Sequence, residues 1–174
     1  RPEPNTDNFK QVLRRDPSNK VPLVELAIAE EILADLHGRP LVPVTRENGH
    51  QRFREAVRQR IQLWCALGYD YYRVRAEIPF QTERLAARDT ATSATGVRCW
   101  VNEHEGIIHS LADFEAYPWP TPAAVDFSVS EVAQRELPEG MGLIGFSGGV
   151  LEWSSNLLGL ESMMLLLYDD PDLT

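Results

Sequence analysis

The sequence predicts an α/β fold in which helices flank a parallel sheet. Short apolar runs occur at residues 21–26, 69–78 and 141–146. The stretches between them carry apolar residues at helical spacing. Strands that alternate with helices in this way usually pair in parallel through right-handed crossovers, so we expect one sheet built from these three strands.

The first strand is predicted at residues 21–26, VPLVEL, where Pro22 stands near its start. A helix is expected directly after it, because apolar residues recur at helical spacing and Gly38 suits a C-cap. The spaced apolar residues are Ala29, Ile32, Leu33 and Leu36.

A longer amphipathic helix is predicted at residues 51–68, which end on Gly68. Its apolar face carries Phe53, Val57, Ile61, Trp64 and Cys65. The strand at 69–78 follows at once, and its period of two places Arg73, Arg75 and Glu77 on one face. That face needs either water or paired charges.

A β-hairpin is predicted from two short strands, 96–100 and 106–109, around the turn VNEHEG. Ser110 and Asp113 then resemble a capping box that starts a short helix. A second helix is expected at 126–137, before Pro138 and Gly140 end it.

The glycine-rich strand 141–146 leads into two further predicted helices, at 150–159 and 160–170. In the second of these, one apolar stripe is expected to face the core. It consists of Leu160, Met163, Met164, Leu167 and Tyr168. Asp170 and Pro171 then resemble the start of another helix, so we expect the chain to be part of a longer protein.

Composition excludes several classes of function. The chain has 174 residues, enough for one core, and its net charge of -9 provides no basic surface for nucleic acid or anionic lipid. No apolar run is long enough to span a bilayer and the N-terminus lacks a signal-peptide core, so a cytoplasmic location is predicted. Cys65 and Cys99 form no disulfide framework.

The segment GLIGFSGGVLEW, residues 142–153, raises two hypotheses that its spacing does not support. It lacks the Lys-Ser/Thr of a phosphate loop, and the glycines around Ser147 do not form the GxSxG of a nucleophile elbow. A tight strand-to-helix turn remains, in which Gly148 and Gly149 let a ligand approach the main chain closely. Phe146, Ser147 and these two glycines are therefore candidate substrate-binding residues.

Arg73, Arg75 and Glu77 form the stronger candidate site. Arginines are rarely buried unpaired, so they either pair with Glu77 and other acids or face a ligand at the carboxyl end of a parallel strand. Ligands of α/β proteins bind at that end. The residues leave both alternatives open, and Glu25, at the end of the first predicted strand, is a candidate on the same argument.

The segment NEHEGIIH places four side chains of metal-binding type within seven residues: Glu103, His104, Glu105 and His109. Neighbouring side chains of a hairpin point to opposite faces, and no second cluster completes a coordination sphere. A solvated hairpin tip is the favoured interpretation, and no metal site is predicted.

Several segments together resemble the uroporphyrinogen decarboxylase superfamily, which includes cobalamin-linked methyltransferases. GLIGFSGGVLEW is similar to the GFxGxP-type segment after that family's third barrel strand, with Gly145, Phe146 and Gly148 matching. DFEAYPWPTP and LLLYDDPDL are similar to segments of its less characterised members. The order of elements agrees over almost the whole chain.

The resemblance implies a fold, the first part of a (β/α)8 TIM barrel with a β-hairpin insertion. Residues 1–174 would then be the N-terminal part of one barrel domain, since such barrels need more than about 200 residues. Open sheet edges and exposed apolar surface would favour self-association or a complementary half-barrel as partner.

The resemblance also implies an enzyme. The decarboxylase's RQAGR signature is replaced by VPLVELAIAEEIL, and its catalytic aspartate by Glu77 in RAEI, which favours the methyltransferase-related branch. The family's tyrosine is Asn156 here. The implied activity is methyl transfer between a small donor, a corrinoid protein and a thiol; the alternatives are decarboxylation of a carboxylated tetrapyrrole and a non-catalytic half-barrel that needs a partner chain.

On this interpretation Glu77 is the catalytic residue, while Arg73 and Arg75 orient the substrate and Phe146 with its glycines shapes the pocket wall. Zinc, which activates thiols in methyltransferase-like members, would be held by the later half of the barrel. The corrinoid would be carried by the partner protein.

Overall fold

The computed structural model describes residues 3–18, 20–88, 97–102 and 104–172. It is a mixed α/β structure with small sheets, which confirms the coarse fold class. The chain divides into two compact units. The first unit contains residues 1–77 and 126–146, and the second contains residues 78–125 and 147–174.

Within the described residues the helices and strands follow one another in this order: α1 (Thr6–Leu13), α2 (Glu30–His37), α3 (His50–Ala66), β1 (Tyr71–Arg75), β2 (Arg84–Arg88), β3 (Val97–Val101), α4 (Leu111–Ala116), α5 (Ser128–Glu136), β4 (Gly142–Phe146), α6 (Val150–Leu158) and α7 (Leu160–Asp169). The positions of all six predicted helices are confirmed, within one or two residues at most ends.

The first unit is built around α3 and a two-stranded parallel sheet. β1 and β4 pair in parallel, with Tyr71 opposite Gly142 and Arg75 opposite Phe146. Helix α5, which lies between them in the chain, contacts both strands, and α3 packs on β1. Two of the three predicted strands are thereby confirmed, as parallel neighbours.

The core of this unit is aromatic. Trp64 of α3 contacts Tyr71 and Tyr72 of β1, with ring centroids 5.9 Å apart in both pairs. The apolar face predicted for α3 is buried, at Phe53, Val57, Ile61 and Trp64. The end of α2 also follows the prediction, because Gly38 adopts the left-handed conformation with φ +73°.

The prediction of a strand at residues 21–26 is wrong. These residues form no ladder, and most of their apolar side chains are exposed, with Val21 88% accessible. Pro22 provides no main-chain N–H for a ladder. The main-chain N–H and C=O of Glu25 bond instead to the side-chain hydroxyl of Tyr71.

The prediction of a hairpin between residues 96–100 and 106–109 is wrong, because β3 covers the first of these segments but pairs with β2. β3 pairs antiparallel with β2, so that Arg84 lies opposite Val101, and residues 106–109 form no strand. The main-chain N–H groups of Ile107 and Ile108 donate to the carbonyl of Leu157 at the end of α6, at 2.8 and 3.0 Å. Gly96 and Glu103, which belonged to the prediction, lie outside the described residues.

The core of the second unit consists of Ile108, Tyr117, Leu157, Leu158 and Met163. Helix α4 begins as predicted, since the hydroxyl of Ser110 accepts from the N–H of Asp113. The apolar stripe predicted for α7 is largely wrong: Met163 is buried, whereas Met164 is 51% and Tyr168 89% accessible. Gly159, with φ +78°, joins α6 to α7 at an angle that turns Met163 and Leu166 to the core.

In the part of the chain that the structure describes, every helix is too short or too polar to cross a bilayer.

Candidate functional site

Two arginines and a phenylalanine meet at the carboxyl end of the parallel pair. Arg73 and Arg75 are two residues apart on β1, and Phe146 is the strand partner of Arg75 on β4. They therefore share one face of the sheet. The Arg73 guanidinium carbon lies 3.9 Å from the centre of the Phe146 ring, and that of Arg75 lies 6.0 Å from it. We call these three residues the arginine cluster.

The charges of the arginine cluster are not neutralised by the described part of the chain. Neither guanidinium forms an ion pair or a hydrogen bond with a described residue. Arg73 is half-buried and Arg75 is exposed. Two cations held beside an aromatic face are arranged to receive an anion, because guanidinium groups bind carboxylates in two-point geometry.

Glu77 does not pair with these arginines. It follows β1 by two residues, its side chain is exposed, and its main-chain carbonyl accepts the N–H of Asp126 at 3.2 Å. The sequence left two alternatives for Arg73 and Arg75, an ion-pair network with Glu77 or contact with a ligand. The described residues form no such ion pairs with Glu77. The carboxylate of Glu77, the predicted catalytic residue, is thus close to the arginine cluster in sequence and exposed to solvent.

Glu25 contacts the opposite end of β1. Its main chain is bound by Tyr71, the first residue of the strand, whereas Arg75 is the last. Four residue steps of a strand cover about 13 Å. The Glu25 carboxylate also accepts the neighbouring Leu26 N–H at 2.7 Å, so the described contacts of Glu25 are with the start of β1 and not with the arginine cluster.

Ser147, Gly148 and Gly149 belong to the second unit, where they precede α6. Ser147 is exposed. A Cβ atom on Gly148 would lie 2.6 Å from Nε1 of Trp153, while one on Gly149 would meet nothing within 4 Å. The close approach at Gly148 is therefore made by the protein's own Trp153, an alternative to the ligand approach that the sequence suggested.

Sequence reasoning missed a cavity of about 170 Å³ beside β1. We call it the β1 cavity. It is lined by residues 26–28, Glu30, Leu33, Arg60, Trp64 and Tyr72–Arg75. All of them belong to the first unit, and two members of the arginine cluster are among them.

Arg60 is buried at this cavity and is fully engaged. Its Nε donates to the Glu30 carboxylate at 2.9 Å, and a second nitrogen binds the other carboxylate oxygen. The remaining terminal nitrogen donates to the carbonyls of Val42 and Ala56, at 2.9 and 2.8 Å. The signal was present in the sequence, because Arg60 stands four residues before Trp64 and three after Val57 on the buried side of α3.

Tyr72 differs from Arg60 because its hydroxyl forms no hydrogen bond with a described residue. Burial raises the pKa of its hydroxyl to about 12, with Arg60 lowering and Glu30 raising that pKa as smaller effects. The hydroxyl stays protonated at neutral pH and can donate a hydrogen bond.

No three metal-binding side chains stand together in residues 3–18, 20–88, 97–102 and 104–172. Comparisons with protein-family models, with curated proteins and with solved structures found no match for this chain.

Proposed function

We propose that the arginine cluster binds an anionic group of the substrate in an enzyme related to the uroporphyrinogen decarboxylase superfamily. One observation carries this proposal: Arg73 and Arg75 flank the Phe146 ring without a carboxylate partner in the described chain. Cationic groups held in place before the ligand arrives bind an anion without a further ordering cost.

The fold we propose for this enzyme is a (β/α)8 barrel that includes β1 and β4 as neighbouring strands. Their parallel pairing and the packing of α5 on both support it. The position of the arginine cluster supports it as well, because barrel enzymes place their sites at the carboxyl ends of the strands.

The reaction we propose is methyl transfer between a small methyl donor, a corrinoid protein and a thiol. Arg73 and Arg75 would hold the anionic group, the Phe146 ring would form the pocket wall, and Glu77 would accept a proton. A corrinoid, carried by the partner protein, would supply the methyl-accepting cobalt. The described residues offer no fitting zinc ligands, so we derive no step through zinc.

Decarboxylation of a carboxylated tetrapyrrole is the second candidate. The specific observation in its favour is the presence of two free guanidinium groups side by side, which suits a substrate that carries several carboxylates. Loss of CO2 from one of them leaves a carbanion that must take up a proton, and Glu77 is the nearest acid in the sequence that could supply it.

Self-association is also part of the proposal, and exposed apolar residues of α6 and α7 support it. Leu151, Leu165, Leu167 and Tyr168 are all more than half accessible. Single exposed apolar residues are ordinary, but several on two consecutive helices suit a surface that another chain covers.

The experiment compares the chain with the double variant Arg73→Gln/Arg75→Gln. We expect the chain to bind propionate in an NMR titration at constant ionic strength and the double variant to lose this binding. Arg52→Gln, an exposed arginine on α3, is the matched control and should bind as the original chain does. Equal binding by the double variant would overturn the anion site.

Two activity measurements then separate the candidate reactions. Methyl transfer predicts that the chain converts methylcobalamin and a thiol to cob(I)alamin and a thioether. Decarboxylation predicts release of labelled CO2 from carboxyl-labelled uroporphyrinogen. CO2 release without methyl transfer would replace the first reaction by the second.

A further inference from the structure

A further cavity of the first unit lies between α3 and α5. Its volume is about 420 Å³, within the range of roughly 300–1,000 Å³ that is typical of sites for small molecules. It is lined by Arg46, by two residues of α3 and by four residues of α5, all of which belong to the first unit. None of the three residues of the arginine cluster lines it. We call it the α3–α5 cavity.

Ion pairs hold both ends of α5 to the α3 side of this cavity. At the start of α5, Arg46 binds the Asp126 carboxylate at 2.5 Å and donates to the Ser128 hydroxyl at 3.2 Å. At its end, Glu136 pairs with Arg54 of α3. The walls of the cavity are thus held in place by the protein's own contacts, and walls that are positioned before a ligand arrives lower the ordering cost of binding.

Two opposite charges that line the cavity have no partner in the described chain. Glu131 and Arg135 both line it from α5, and neither side chain forms an ion pair or a hydrogen bond with a described residue. They stand four positions apart on one face of the helix, where Cβ atoms are about 5–6 Å apart, so both can reach the same small molecule. Exposed charges attract each other only weakly in water, so a ligand can bind both.

The floor of the cavity is apolar. Val132 lines it from the same helix as Glu131 and Arg135, and Phe53 lines it from α3. Both are buried, Val132 at 8% and Phe53 at 5% accessible. The ligand that fits this cavity therefore combines a positive group, a negative group close to it and a short apolar part.

We propose that the α3–α5 cavity binds a free α-amino acid with an aliphatic side chain. Arg135 binds its carboxylate, Glu131 binds its ammonium group, and Phe53 and Val132 contact its side chain. An α-amino acid fits because its two charged groups and its apolar side chain are all attached to one carbon atom. This site goes beyond the proposed function and does not depend on the arginine cluster.

The test titrates the whole chain with L-leucine at constant ionic strength, followed by NMR. We expect saturable shifts of the Val132 methyl and His50 ring signals, because both residues line the cavity. Arg135→Gln and Glu131→Gln should each lower the leucine affinity about tenfold or more, the usual effect of losing a hydrogen bond to a charged group. Both side chains are exposed and without a described partner, so the thermal stability of the variants should match that of the original chain.

Matched controls and two leucine analogues identify the role of each charge. Arg58→Gln and Glu55→Gln change exposed residues of α3 that do not line the cavity, so the leucine affinity should not change. Leucinamide lacks the carboxylate, so it should bind more weakly than leucine and Arg135→Gln should not weaken its binding further. N-acetylleucine lacks the ammonium group, so the same is expected for it with Glu131→Gln.

Three results would overturn the proposal. The first is the absence of saturable shifts with leucine, and the second is equal affinity for leucine and both analogues. The third is a set of shifts centred on Phe146 and not on Val132, which would place leucine at the arginine cluster. Glycine, which has no side chain, should bind more weakly than leucine; equal affinity would overturn the role of the apolar floor.

Discussion

The hydroxyl of Tyr71 binds both main-chain polar groups of Glu25, accepting its N–H at 2.9 Å and donating to its carbonyl at 3.1 Å. Tyr71 is almost fully buried at the start of β1. One side chain of the sheet therefore holds residues 21–28, a segment that has no ladder of its own.

Replacement of Tyr71 by phenylalanine should destabilise the protein. Two hydrogen bonds are lost, and the half-buried main-chain N–H and C=O of Glu25 are left without a partner. We therefore expect the free energy of unfolding to fall by about 1–3 kcal/mol. Urea denaturation measures it. Tyr72→Phe is the control, with the same chemical change and no bond lost, and an equal effect of both substitutions would contradict the role of Tyr71.

Substitution of Gly148 by alanine should disturb the start of α6. The new Cβ would lie 2.6 Å from Nε1 of Trp153, and 3.2 Å from a Glu152 carboxylate oxygen. We expect a loss of about 1–3 kcal/mol in unfolding free energy, as for other overpacked sites, together with a shift in Trp153 fluorescence. Gly149→Ala has open space at its Cβ and should change stability by less than about 0.5 kcal/mol. The prediction fails if the two variants behave alike.

Acid should loosen the start of α4. The pKa of Asp113 is held below its ordinary value, first by the hydrogen bond from the Ser110 hydroxyl and next by the His109 N–H. A carboxyl with a lowered folded-state pKa contributes stability that is fully present above the unfolded value of about 3.9 and is lost as the pH falls through the folded value.

The chemical shift of the His109 amide, followed by NMR from pH 6 to about pH 2, should therefore change as Asp113 becomes protonated. The midpoint of this change should lie below the ordinary pKa of an aspartate. Asp113→Asn should abolish this titration. Asp126→Asn is the control, because the pKa of Asp126 is also lowered but through the Ser128 N–H. A titration that persists in Asp113→Asn would show that another group is responsible.

The chain should associate with itself through the exposed apolar residues of α6 and α7. Sedimentation equilibrium is expected to give a mass above 19.7 kDa, the mass of the chain. Leu165→Glu/Tyr168→Glu should restore the monomer, because charge on an apolar contact is costly to bury. Leu13→Glu, at a residue of α1 that is also exposed, should leave association unchanged. A monomeric original chain would refute the prediction.

Much of the helical structure was predictable because its signals are local. The apolar face of α3 and the left-handed Gly38 after α2 depend on residues within a few positions of one another. The same holds for Ser110 at the start of α4. Strand pairing was less predictable. β3 pairs with β2 and not with residues 106–109, and the main-chain N–H groups of Ile107 and Ile108 donate to the carbonyl of Leu157 at the end of α6.

Part of the candidate site was also predictable from the sequence, and part was not. Arg73, Arg75 and Phe146 were found from sequence, because strand periodicity puts both arginines on one face and a family resemblance pointed to Phe146. Tyr72 was missed, because it stands on the opposite face of the period and its unused hydroxyl is visible only once α2 and α3 enclose it.

The sequence by itself determined the α/β character, six of the seven described α-helices and the two strands that form the parallel pair, since propensity, spacing and capping act over a few residues; α1 was missed. The tertiary structure decided the rest: that residues 21–26 remain outside the sheet, that Arg73 and Arg75 lack described carboxylate partners, and that Tyr72 shares a cavity with them. Those properties depend on burial and charge contributed by residues far apart in the chain, and only folding brings such residues together.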